Sequence, residues 1–123
     1  MGKVTTHILD TSRGVPAKGV RIALYRLDEN RDGDGQKRTL VVEAVTNEDG
    51  RCGKPLMEGD EFVEGNYEFE FDIAAYFESP GKKDQPFPFL NTVILRVGLS
   101  NRDDHYHVPL LVSPFGYSTY RGS

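Results

Sequence analysis

An all-β, antiparallel sandwich of about eight short strands with one short helix is the fold this sequence predicts. Three observations predict it. Turn residues punctuate the 123 residues at short intervals, and the runs between them are strand-like. Tyr67-Glu68-Phe69-Glu70-Phe71-Asp72 alternates strictly, as a half-buried strand does. Only Asp72 to Glu78 carries helix signals. Many strands with one helix imply two packed antiparallel sheets rather than a layered α/β fold.

The elements follow in order. Val4 to Leu9 is the first strand, with His7 and Leu9 on one face and Thr6 and Ile8 on the other. Val20 to Leu27 sets Val20, Ile22 and Leu24 against Arg21, Ala23 and Tyr25. Asp28 to Lys37 is a polar loop, and Thr39 to Val45 is a strand rich in β-branched residues. Asp49-Gly50 signals a tight turn, after which Arg51 to Pro55 is a short, weak strand. Tyr67 to Asp72 follows. Asp72 then N-caps the helix, which Ser79-Pro80-Gly81 ends. Phe89 to Leu99, Tyr106 to Val112 and Phe115 to Tyr120 complete the set. In the penultimate strand Tyr106, Val108, Leu110 and Val112 make the better core stripe, which leaves His107, Pro109 and Leu111 on the opposite face. In the last strand Ser118 and Tyr120 share a face opposite Tyr117, Thr119 and Arg121.

Size predicts a single domain, residues 1–123, with one core. A net charge of −4 argues against a nucleic-acid partner, which would need a basic face. No apolar run approaches the ~20 residues of a membrane span, so no membrane partner is expected. The N-terminus lacks an apolar signal core. Cys52 has no second cysteine to pair with, which fits a reducing compartment. A cytoplasmic location is the expectation, with peroxisomal import by an unrecognised route as the alternative.

Two patterns suggest metal sites and are better read otherwise. Asp28, Asn30, Asp32 and Gly33 match the first half of a calcium loop, but Thr39 stands where a bidentate glutamate is needed and the flanks are strands. His105 and His107 are spaced to face the same way, yet a zinc site needs further ligands, and His7 is the only other histidine. His7, His107, Ser118 and Tyr120 would together make a surface too polar for a core and too aromatic for plain solvent, if their faces met. Such a surface is a candidate ligand or subunit surface.

Two longer signatures carry a resemblance. One is Thr5-Thr6-His7-Ile8-Leu9-Asp10-Thr11-Ser12-Arg13-Gly14-Val15-Pro16-Ala17, and the other runs from His105 to the terminal Tyr120-Arg121-Gly122-Ser123. On these the chain closely resembles the transthyretin-like family, in its 5-hydroxyisourate hydrolase branch. The resemblance covers essentially the whole chain, and the tail is absent from hormone-carrying transthyretins. It implies a transthyretin-like sandwich assembled as a homotetramer, a dimer of dimers, with active sites in a central channel built from more than one subunit. It implies hydrolysis of a small-molecule substrate, 5-hydroxyisourate, to 2-oxo-4-hydroxy-4-carboxy-5-ureidoimidazoline in urate catabolism, with no metal or organic cofactor.

Carried over position by position, the resemblance makes His7, Arg51, His107 and Ser123 the expected catalytic residues. Ser118, Tyr120, Arg121 and Gly122 are the expected substrate-binding residues. Histidine suits water activation near neutral pH, because its ordinary pKa is ~6.5. Which of His7 and His107 is the base stays open at this level. Arg51 would bind the polar heterocycle and offset developing negative charge. Arg121 has a second reading, in which it fixes the tail by pairing with a carboxylate. The competing functions are a small-ligand carrier on the same scaffold, which needs neither histidine, and a purely structural β-sandwich module.

Overall fold

The computed structural model describes residues 1–29, 36–78 and 86–122. The strands are β1 (Lys3–Asp10), β2 (Val15–Pro16), β3 (Arg21–Glu29), β4 (Gln36–Val45), β5 (Met57–Glu58), β6 (Gly65–Asp72), β7 (Thr92–Leu99), β8 (His105–Ser113) and β9 (Gly116–Thr119). One sheet has the order β2-β1-β8-β9, with β5 also paired to β1, and the other has the order β4-β3-β6-β7. Among the described residues the one α-helix, α1 (Ile73–Phe77), is capped by Asp72, whose carboxylate accepts the Ala75 N–H at 3.3 Å.

Period-two patterning decides which side of each strand meets the other sheet. Val4 and Ile8 of β1, and Leu110 and Val112 of β8, have no solvent exposure. They face Leu24, Phe69, Phe71 and Val93 of the second sheet in one continuous core. Cys52 packs against the edge of this core as a small hydrophobe, and burial pushes its thiol pKa up. The expected core stripe of β8 is therefore the one observed, and His105, His107, Pro109 and Leu111 alternate away from it.

Five features differ from the sequence expectation. The central pairing of the first sheet, β1 with β8, is parallel, running from Lys3↔His105 to Asp10↔Val112. Parallel neighbours need a long crossover, and here the whole second sheet supplies it. Residues 51–55 form no strand. Arg51 makes a single antiparallel bridge to His7, and the next strand residues are Met57 and Glu58. Val15–Pro16 adds a two-residue strand against Leu9 and Asp10. The strand expected from Phe89 begins only at Thr92, and the polar hairpin retains pairing out to Glu29↔Gln36. The calcium-like residues Asn30, Asp32 and Gly33 lie outside the described residues.

Buried charges are paired. The Asp10 side chain is fully buried and accepts from Ser12 N–H, Ser12 Oγ, Arg13 N–H and Tyr76 Oη. Burial raises its pKa, and these hydrogen bonds more than reverse that, leaving it below the ordinary carboxylate value. They also tie α1 to the end of β1. Glu68 is buried on the outer side of the second sheet between Arg38 Nη1 at 2.7 Å and Arg96 Nε at 2.9 Å. Its desolvation is likewise outweighed by those two guanidinium contacts.

Candidate active site

The outward face of the β1–β8 pair collects the imidazoles. In the parallel register Thr5 lies opposite His107, and His7 lies opposite Pro109. His7 and His107 are thus diagonal neighbours on one face, about 8 Å apart between Cα atoms from ordinary strand spacing and rise. His105 is the first residue of β8, so it shares this face with His107, their ring centroids 6.3 Å apart. Thr5 Oγ1 lies 2.8 Å from His105 Nε2 and 2.9 Å from His107 Nδ1.

Arg51 reaches this face through a turn rather than a strand. Asn47 Oδ1 accepts the N–H groups of Asp49 and Arg51, and the Asn47 N–H donates to the Arg51 carbonyl. Gly50 has φ of 75° and is buried against β1, where the Ile8 N–H donates to its carbonyl at 2.8 Å. A Cβ at Gly50 would stand 2.4 Å from the Ile8 carbonyl oxygen. Only glycine fits both the left-handed backbone and that approach. The docked turn then sets Arg51 beside His7.

The tail approaches His107 from the other side. β9 pairs with β8 from Ser113↔Gly116 to Leu110↔Thr119, and the same register continues to a bridge between His107 and Gly122. Gly122 N–H donates to the His107 carbonyl at 2.7 Å, and His107 N–H returns a bond at 3.2 Å. A Cβ on Gly122 would lie 3.0 Å from His107 Cδ2, so this glycine leaves room for the ring. Ser118 pairs with Leu111, and Tyr120 is exposed two residues further on.

The structure therefore brings His7, Arg51, His107 and Gly122 together, with Ser118 and Tyr120 further along the same alternation. Arg121 lies elsewhere. Its guanidinium stacks 4.3 Å from the centroid of Tyr106, a core-side residue, and sits 3.4 Å from Asp104 Oδ2. That is the tail-fixing arrangement, with the cation turned away from the histidines. Ser123 lies outside the described residues. Thr5, Asn47 and Gly50 were missed as site residues by sequence reasoning. Alternation alone places Thr5 on the face of His7, and that signal was available.

The electrostatics distinguish His107. Burial lowers its pKa below 6.5, and the nearby charges of Arg51, His105 and His7 lower it further. It is therefore neutral, and able to accept a proton, at neutral pH. Among the described residues no hydrogen-bond partner occupies its Nε2. Among the same residues no group of three or more His, Cys, Asp or Glu side chains could hold a metal ion. Two concavities of the single chain are lined by none of His7, Arg51 and His107. One of about 340 Å³ runs between β7 and the β8–β9 side, and one of about 680 Å³ lies on the outer side of the second sheet. The histidine face is a sheet surface, so enclosing a substrate over it requires a second wall.

The architecture and this face define the class first: a two-sheet sandwich of the transthyretin type, carrying a histidine–arginine face where its tail folds back. The chain belongs to the HIUase/Transthyretin family, whose model matches residues 4–122. A Rhizobium meliloti protein named 5-hydroxyisourate hydrolase 2 is 52% identical over 122 residues, covering 99% of this chain and 97% of that protein. The solved structure of Klebsiella pneumoniae 5-hydroxyisourate hydrolase is 31% identical, with a TM-score of 0.77 and full coverage of both chains. A solved (S)-allantoin synthase is 49% identical with a TM-score of 0.86, covering 99% of this chain but 44% of that one. This chain thus spans less than half the length of that synthase.

Proposed function

We propose that this protein, acting as one domain of residues 1–123, hydrolyses 5-hydroxyisourate. The observation that carries the reading is the convergence of His7, Arg51 and His107 on one sheet face beside the returning tail. Relatives named for that activity, matched over nearly their full length, favour a hydrolase over a ligand carrier.

The chemistry follows from the groups present. His107 Nε2 takes a proton from water as the oxygen attacks a ring carbonyl. The carbonyl oxygen gains negative charge, which the Arg51 guanidinium offsets. The ring C–N bond then breaks, and the departing nitrogen takes up a proton, with His7 the adjacent donor. The second proton of water leaves with the new carboxyl group, and the proton on His107 returns through solvent to His7, so the step balances with no cofactor. Ser118, Tyr120 and Gly122 would contact the substrate, Ser123 would complete the tail's contribution, and Arg121 would act by holding the tail to Asp104.

The second wall is another subunit. Among the described residues β9 and β7 are the end strands of their sheets, and the concavity between them is lined by Ile94, Val97, Val108 and Tyr120. Ile94 is 48% exposed and Tyr120 60% exposed in the single chain. Edges and apolar surface of this kind favour association between copies. A homotetramer, as a dimer of dimers, would set histidine faces opposite one another across a channel. Cytoplasmic location is kept as part of the same proposal.

The test is ultraviolet monitoring of freshly generated 5-hydroxyisourate, with light scattering to give the mass in solution. Accelerated decay of the substrate band by a species of four subunits is expected. Saturable binding without turnover would make the protein a carrier instead.

A further inference from the structure

We infer that Thr5 is a positioning residue for His107: its hydroxyl, shared between two imidazoles, fixes the ring tautomer that leaves Nε2 free to take a proton. The inference rests on the proposed role of His107 as base.

The argument is a proton count. Thr5 Oγ1 lies 2.8 Å from His105 Nε2 and 2.9 Å from His107 Nδ1. A hydroxyl has one proton to give and two lone pairs. Both ring nitrogens therefore cannot accept from it, and at least one must donate. Two arrangements use every group once. In the first, His107 donates its Nδ1–H to Thr5, and Thr5 donates to His105 Nε2. In the second, His105 donates its Nε2–H to Thr5, and Thr5 donates to His107 Nδ1. Only the first leaves a lone pair on His107 Nε2. In the second that nitrogen already carries the proton, and the ring can act as a donor but not as a base.

The surroundings favour the first. Nδ1 is committed to Thr5, so Nε2 is the nitrogen left to the rest of the face. Arg51 has donors only and a fixed positive charge, which adds to burial in lowering the His107 pKa. A lone pair suits that neighbour and an N–H does not. The Thr5 hydroxyl, 2.9 Å from Nδ1, holds that edge of the ring, and a flip that exchanged the nitrogens would break this bond.

The same chain of bonds offers a path for charge. Once Nε2 has taken a proton from water, the Nδ1 proton can pass to Thr5 Oγ1 while the Thr5 proton passes to His105 Nε2. His107 gains a proton at Nε2 and gives one at Nδ1, Thr5 Oγ1 takes one and gives one, and His105 Nε2 takes one, so the positive charge ends on His105 and not on His107 beside Arg51.

The test combines ¹⁵N NMR of the imidazoles, recorded without substrate at a pH where His107 is neutral, with steady-state kinetics. Wild-type His107 is expected as the Nδ1–H tautomer. Thr5→Val keeps the shape and removes the hydroxyl. It should shift the His107 signals toward Nε2–H and lower kcat by about tenfold or more, with KM little changed. Thr5→Ser should restore both. A wild-type His107 already protonated at Nε2 would overturn the inference, as would a Thr5→Val variant with unchanged kcat or with activity lost and the tautomer unaltered. If Thr5→Val fails to fold, the wild-type spectrum and the Thr5→Ser kinetics decide. Because the spectrum needs no substrate, absence of hydrolysis by the wild type would sink the proposed reaction without touching the tautomer assignment.

Discussion

At the scale of single residues, His107 owes its distinction from the other imidazoles to its surroundings. Burial and the charge of Arg51 keep it neutral below the pH at which a free histidine would protonate. The acid limb of kcat/KM is therefore expected below pH ~6.5, the ordinary histidine value. Arg51→Met removes a neighbouring cation, so the His107 pKa measured by NMR should rise in that variant. An unchanged value would separate the two residues electrostatically. Much of this was legible in the sequence. Alternation put His107 opposite the stripe of Tyr106, Val108, Leu110 and Val112, and the structure buries that stripe. What alternation could not supply was the partner. Thr5 and His107 are 102 positions apart, and their hydrogen bond exists only because β1 and β8 pair in one particular register.

At the scale of elements, the informative piece is the turn from Thr46 to Arg51. Its Asp49-Gly50 signal is readable, because the left-handed backbone at Gly50, where the turn from Asn47 closes, selects glycine. Its function is not readable, because Arg51 meets His7 through a docking of the turn on β1 that no local pattern encodes. The same holds for the parallel β1–β8 pairing and for the two-residue strands β2 and β5, which are too short to leave a periodic trace. Asn47→Ala deletes the acceptor for two turn N–H groups. It should cost about 1 kcal/mol of stability in urea unfolding and lower kcat/KM severalfold, because Arg51 loses its anchor. Full activity in a destabilised Asn47→Ala would mean that the bridge to β1 suffices.

At the scale of the whole molecule, stability and activity both depend on groups that hold a charge or refuse one. Asp10 and Glu68 have folded pKa values below their ordinary 3.8 and 4.5. Their contribution is present above those values and is lost as pH falls through the lower folded ones. His107 acts in the same direction from below pH 6.5, since the unfolded chain protonates first. Urea midpoints should therefore decline from pH 7 to pH 5 and more steeply below pH 4.5. Asp10→Asn should flatten the lower part of that decline, and an unaltered slope would assign the loss to other carboxylates. The sandwich and its core were legible because a two-residue period and a size of 123 residues leave few alternatives. The assembly was expected only from the family resemblance, since free edges and exposed aromatics emerge only when the sheets are formed. The most direct measurement is kcat on freshly generated 5-hydroxyisourate for the wild type and for His107→Ala at matched oligomeric state. A fall of about 10²–10⁴-fold with the fold intact is predicted. Wild-type turnover in His107→Ala would contradict the account.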